Sequence, residues 1–267
     1  MGRIEAKFAD LKRRGRRALI PFITAGDPDL PTTELLLAEL ARAGADLIEV
    51  GVPFSDPVAD GPVIQRASER ALRNGVTLSA LLGCVAGSRH RLEIPIVLFS
   101  YFNPLLQFGL ERLASEARTA GVDGILVTDL IPEEASDWEK ILQANAIDPI
   151  FLVAPTTSDA RLKQITGRTR GFIYAISRTG VTGAREEMTG AAEALVRRVR
   201  DCTDLPVAVG FGVTTAKHVR DVWRYADAAV VGSAIVQEIE RCGSNDQVVR
   251  RVGELVRGLL RTEDDGA

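Results

Sequence analysis

The stretch EVGVPFSDPVADGP, residues 49 to 62, carries three acids placed where they could do chemistry: Glu49, Asp56 and Asp60. Glu49 closes an apolar, strand-like run, and the two aspartates follow in a segment rich in turn formers. Side chains alternate along a strand, so Leu47, Glu49 and Gly51 share one face while Ile48 and Val50 share the other. With Ile48 and Val50 packed against helices, Glu49 turns the opposite way. A carboxylate that loses solvent there has its pKa raised and suits proton transfer near neutral pH. It reads equally as a buried acid paired with an Arg for structure. Asp60 precedes Gly61-Pro62 and Asp56 precedes Pro57, so a helix cap and a turn account for both on local grounds.

The elements that must position these acids are legible as an alternation. Short apolar runs occur at LIPFITAG (19 to 26), DLIEVGVP (46 to 53), PIVLFSYF (95 to 102), GILVTDL (124 to 130), PIFLVAP (149 to 155), GFIYAIS (171 to 177), PVAVGFG (206 to 212) and AAVVGSA (228 to 234). Each is bounded by Gly, Pro or Asp. Between them lie amphipathic segments such as TTELLLAELARAG, LERLASEARTAG, EEASDWEKILQAN, SDARLKQITG, AAEALVRRVRDC and TAKHVRDVWRYA, with Ser158 a good N-cap for the fourth of these. Apolar strands separated by helices predict a parallel sheet buried on both faces. Eight repeats in 267 residues predict a single-domain (β/α)8 TIM barrel spanning residues 1–267. A doubly wound open sheet is the competitor, but the turn after the first run, TAGDPDLP, lacks GxGxxG. RIEAKFADLKRRG predicts an extra N-terminal helix, and QVVRRVGELVRGLLR the last outer one.

Composition narrows the function classes. Hydrophobic residues make up 46% of the chain and the formal net charge is -3, which predicts no nucleic-acid partner. The patch KRRGRR (12 to 17) reads as the solvated end of the first helix. No apolar run approaches the ~20 residues that span a bilayer, and no signal peptide or myristoylation pattern is present, so a cytoplasmic protein with no membrane partner is expected. Cys84, Cys202 and Cys242 show no CxxC spacing and are expected to stay reduced. His90 and His218 lie far apart in helical segments, so neither a His-based metal site nor a serine triad is expected. Lys140, Lys163 and Lys217 fall in helical patterns, and Lys7 and Lys12 precede the first run. No strand ends in Lys, which disfavours a Schiff base.

In such barrels the chemistry sits at the C-terminal ends of the strands, where Glu49 would face the mouth. Glycine-rich spots follow the last three runs: TGVTGA (179 to 184), GFGV (210 to 213) and VGSAIV (231 to 236). Glycines let backbone N–H groups approach an anion, and a short helix starting at Ser233 would point its positive end the same way. A phosphate site is predicted there.

IEVGVPFSDPVADGPVIQRAS, SRTGVTGA, VGFGV and VGSAIV together resemble the tryptophan synthase alpha subunit family of indole-3-glycerol-phosphate lyases, from PFITAGDP to VGSAIVQEIE. The resemblance implies retro-aldol cleavage of indole-3-glycerol phosphate to indole and glyceraldehyde 3-phosphate, in tryptophan biosynthesis. It implies Glu49 as acid/base, Asp60 as the acceptor of the indole N–H, and Tyr174 as a catalytic partner hydrogen-bonded to Glu49. Thr182 would close over Asp60 as a lid loop folds down, with Arg178 and Arg185 in that loop. Phe22, Phe99, Tyr101, Leu126, Leu152 and Val230 would line the indole slot, with Phe211 where that slot meets the phosphate end. Gly183, Gly212, Gly232 and Ser233 would hold the phosphate. Phe99 and Thr128 depart from the Leu or Met and the Ala or Pro more familiar at those positions.

The family further implies a heterotetramer with a beta subunit that carries pyridoxal phosphate, this chain itself needing no cofactor. FSDPVADG and FNPLLQFG are the expected partner surface. Other readings are a sugar-phosphate isomerase barrel, a non-catalytic allosteric subunit and a free-standing indole-producing lyase. The missing His and Lys at strand ends oppose the first, and retention of Glu49, Asp60 and Tyr174 opposes the second.

Overall fold

The computed structural model describes residues 2–176, 185–242 and 245–261. Its strands are β1 (Ala18–Thr24), β2 (Ile48–Gly51), β3 (Ile96–Ser100), β4 (Gly124–Val127), β5 (Asp148–Ile150), β6 (Leu152–Val153), β7 (Ile173–Ile176), β8 (Val207–Gly210) and β9 (Ala228–Val231). Every pairing is parallel, in the order β5-β4-β3-β2-β1-β9-β8-β7-β6. Among the described residues the eight predicted runs become nine strands, because the fifth run is divided at Phe151. Its first half pairs with β4 and its second with β7. The two ends of the sheet are thus halves of one run, and the barrel closes through it.

Alternation along the strands creates two cores. Leu19, Ile23, Ile48, Val50, Leu98 and Ile125 belong to the layer between sheet and helices. Ile20, Phe22, Leu47, Val97, Leu126 and Ala208 fill the inside of the barrel. The N-terminal helix Arg3–Arg13 plugs the floor of that inner core with Ile4, Phe8 and Leu11, and Phe8 meets Phe172 at 5.9 Å between ring centroids. At roughly 25 cal/mol for each Å² of apolar surface removed from water, these two cores dominate the stabilisation of the fold.

The floor also carries a repeated carboxylate clamp. The amide of Asp46 donates to the carbonyl of Leu19 at 3.0 Å, and its carboxylate accepts the Leu19 N–H at 3.1 Å. Asp123 does the same to Ile96, at 2.9 and 2.9 Å, and Asp227 to Val207, at 2.9 and 3.0 Å. Each aspartate lies just before one strand and secures the first residues of its neighbour. Arg3 and Arg89 then neutralise Asp123, and Arg200 approaches Asp227.

All the amphipathic segments form helices, and Ser158 caps Asp159–Arg168 by accepting the Arg161 N–H. Two helices escaped the pattern. Leu78–Ser88 is apolar with two glycines, and Phe102–Phe108 has only seven residues. The five lysines lie in helices, as their patterns predict. Among the described residues no helix is long and apolar enough to cross a membrane.

Candidate active site

Glu49 is the last inward-facing side chain of β2 before Gly51, and it is completely buried. Its neighbours Ile48 and Val50 do pack on the helix layer, which turns the carboxyl inward. Neither carboxyl oxygen has a hydrogen-bond partner. Burial without compensation pushes its pKa from an ordinary 4.5 up to about 8, so the group holds its proton at neutral pH. The alternative of a structural acid paired with an Arg is therefore wrong for this residue.

The expected bond from Tyr174 to Glu49 is not formed either. Tyr174, on β7, sends its hydroxyl against Gly210 of β8, where a methyl group would sit 2.1 Å from the oxygen. Gly210 is the space that the phenol occupies. Tyr174 is buried beside Glu49 and Asp60, and desolvation holds its phenol neutral.

Asp60 lies in the loop that joins β2 to the helix Pro62–Arg73. That helix begins at Gly61 with no side-chain cap, so the expectation of Asp60 as a cap fails. Its carboxylate instead accepts a hydrogen bond from the Tyr101 hydroxyl at 3.0 Å. Burial raises its pKa to about 6 while that hydrogen bond pulls it down. Asp56 keeps its turn role, its carbonyl accepting the Val58 N–H at 2.9 Å.

Both acids line one cavity that opens to solvent. Phe22, Phe99, Tyr174, Phe211 and Val230 supply its walls, and Gly212, Gly232 and Ser233 its far end. Four of the rings form a chain of edge and tilted contacts: Phe22 to Phe99 at 5.4 Å, Phe99 to Tyr174 at 6.4 Å, and Tyr174 to Phe211 at 6.0 Å. Such a wall suits a flat aromatic ligand. Phe99, one of the departures noted above, is part of it. Thr128, the other, is not a lining residue and instead bonds back to Ser100.

Phe211 and Gly212 both have positive φ, 65° and 110°. For a phenylalanine this is a strained backbone, of order 1–3 kcal/mol, and such strain concentrates at functional sites. Beside them the helix Ser233–Arg241 opens at Gly232, so its N-terminal, positive end lies at the cavity.

Leu126 and Leu152 belong to or pack on the inner core without lining the cavity, and Tyr101 lies outside its lining too. Thr182, Gly183 and Arg178, with the lid expected there, lie outside the described residues, as does the side chain of Arg185. Two lining residues escaped the sequence reading: Ile64 and Val213. Ile64 is in the first turn after Asp60, on the buried face of an amphipathic helix, and Val213 directly follows Gly212. Their periodicity and position were readable signals.

A family model described as tryptophan synthase alpha chain matches residues 8–262. The tryptophan synthase alpha chain of Citrifermentans bemidjiense is 48% identical over 259 residues, 97% of each chain. That of Geobacter sulfurreducens is 49% identical over 241 residues, 90% of this chain and 91% of the relative. Among solved structures, tryptophan synthase subunit alpha from Legionella pneumophila superposes with a TM-score of 0.89 at 35% identity, covering 97% of both chains. A chain of tryptophan synthase from M. tuberculosis in an aminoacrylate-bound form gives 0.86 at 36% identity, covering 97% of this chain and 100% of that one.

Proposed function

The chain belongs to the tryptophan synthase alpha chain family, and from that premise we propose how its barrel mouth carries out the family's lyase reaction. That reaction is the cleavage of indole-3-glycerol phosphate to indole and glyceraldehyde 3-phosphate. The observation that carries the reading is Glu49, a buried carboxyl with no partner that is protonated at neutral pH and opens on an aromatic-walled cavity.

The indole lies along Phe22, Phe99 and Phe211, and the phosphate sits at Gly212, Gly232 and Ser233; the resemblance adds Gly183 to the phosphate site and Thr182 as the residue that closes over Asp60. Glu49 donates its proton to the ring carbon that bears the side chain. The ring nitrogen becomes electron-poor, and the Asp60 carboxylate stabilises it by accepting its N–H. The bond between ring and glycerol carbon then breaks, its electron pair restoring the aromatic ring. The side-chain hydroxyl gives its proton to the Glu49 carboxylate as the aldehyde forms, so Glu49 ends the cycle as it began. Two acids whose surroundings hold one neutral and the other ionised divide the work. Tyr174 shapes the space around them without bonding to Glu49.

A beta subunit is the family's partner, and the alpha2beta2 heterotetramer is the assembly expected here, with pyridoxal phosphate held by the beta subunit and no cofactor in this chain. Val58 (86% exposed), Leu106 (51%) and Ile131 (46%) support a docking face, because they follow β2, β3 and β4 at the mouth of the barrel.

The decisive experiment follows indole release by the purified chain, alone and with a beta subunit. Slow release that accelerates with the partner and falls steeply, though measurably, in Glu49→Gln and Asp60→Asn is expected. No release from folded protein in either condition would sink the reading, and fast release alone would favour a free-standing lyase. kcat/KM should be bell-shaped, failing below about pH 6 as Asp60 gains a proton and above about pH 8 as Glu49 loses one.

A further inference from the structure

Tyr101 stands just after β3 and is not among the residues that line the cavity. Its hydroxyl accepts the backbone N–H of Ala59 at 2.9 Å and meets a carboxyl oxygen of Asp60 at 3.0 Å. Its ring lies 5.2 Å from that of Phe54. One side chain therefore touches the loop between β2 and the helix Pro62–Arg73 at three places: Phe54 near its start, then Ala59 and Asp60 near its end.

The direction of these bonds is set by what each group can offer. A backbone N–H only donates, so the Tyr101 oxygen is an acceptor towards Ala59. The phenol keeps its proton, since burial and the nearby acids hold its pKa well above the usual tyrosine range. That proton is then directed at Asp60, where it favours the carboxylate over the acid. The rest of the loop is held by its own turns and by Gln65, whose amide donates to the backbone carbonyl of Asp60 at 2.9 Å. None of those bonds orients the Asp60 carboxylate.

We infer that Tyr101 is a positioning residue that aims the Asp60 carboxylate into the cavity and keeps it ionised, rather than a wall of the ligand slot. The inference rests on the reading of Asp60 as the acceptor of the indole N–H. Among the described residues, the groups that face Asp60 are Tyr101 after β3, Tyr174 on β7 and Glu49 on β2 across the cavity, while Asp129 after β4 lies near Tyr101. Of these, Tyr101 is the group whose hydrogen bond lowers the Asp60 pKa.

The test is Tyr101→Phe in the full chain, which keeps the ring against Phe54 and removes only the hydroxyl. The Asp60 carboxyl is titrated by carbon NMR without substrate, and the pH profile of cleavage is recorded. The expected result is an Asp60 midpoint and an acid limb both raised by about one pH unit, with kcat lowered about tenfold and KM little changed. Placing 3-fluorotyrosine, a more acidic phenol, at position 101 moves the midpoint the other way. In an Asp60→Asn background, Tyr101→Phe should cost nothing further.

Unchanged midpoint and acid limb in folded Tyr101→Phe would overturn the inference. So would an equal loss in the Asp60→Asn background, which would place Tyr101 on the substrate itself. Full turnover by Asp60→Asn would instead defeat the role of Asp60, and the NMR midpoint would still report on the tether.

Discussion

The floor and the mouth of this barrel treat carboxyl groups in opposite ways. On the floor, Asp46, Asp123 and Asp227 each accept a strand-initiating N–H, and Asp123 also faces two arginines. At the mouth, Glu49 is completely buried and has nothing. The same chemical group is a fastener where its charge is met and a proton donor where it is not. Folding alone would favour partners at both ends, so the bare carboxyl is the one that function must explain.

That contrast can be broken from either side. The largest effect is expected from Glu49→Gln, which keeps shape and neutrality but has no proton to exchange. Indole release should fall about a thousandfold, with an unaltered circular dichroism spectrum. A loss below tenfold would show that the bare carboxyl is not the shuttle.

Next comes Asp123→Ala, which strands Arg89 and the Ile96 N–H on the floor. Urea unfolding should show a loss of about 3 kcal/mol, while turnover per folded molecule stays within about twofold of wild type. Loss of activity without loss of stability would mean that the floor and the mouth are not separate in function.

The effect with the smallest change per step of its measurement sharpens the comparison most. The native state keeps the Glu49 proton up to about pH 8, whereas the unfolded chain releases it near 4.5. Between those values the unfolded state binds fewer protons, so stability falls as pH rises, by about 1.4 kcal/mol per pH unit from this group alone. Unfolding free energies measured from pH 5 to 8 should differ in slope between wild type and Glu49→Gln by that amount. Parallel slopes would mean that Glu49 is ionised in the native protein.

The barrel was legible in the sequence because its signals are local and repeated. Eight apolar runs with Gly, Pro or Asp at their ends needed only periodicity to be read. Glu49 was legible as a candidate because strand alternation separates it from Ile48 and Val50. Its lack of a partner was not, because that depends on which residues of β7 and β8 arrive opposite. Gly210 gives Tyr174 a place to turn, and no local pattern announces that pairing of two strands. Asp60 shows the reverse error. Asp-Gly-Pro is a sound capping pattern, yet a tyrosine 41 residues away claims the side chain. The floor aspartates do leave a trace, an Asp shortly before an apolar run in GADLIEV, GVDGILV and YADAAVV, but its meaning lies in the neighbouring strand.

The division of the fifth run at Phe151 has a consequence for how the barrel breathes. In a closed sheet, opening at any intact strand severs two ladders at once. β5 and β6 are each held by one ladder, over three and two residue pairs. The wall therefore has a seam along residues 148 to 153, and hydrogen exchange should find its earliest sheet openings there. The strand that closes the ring is also the place where the ring most readily comes undone.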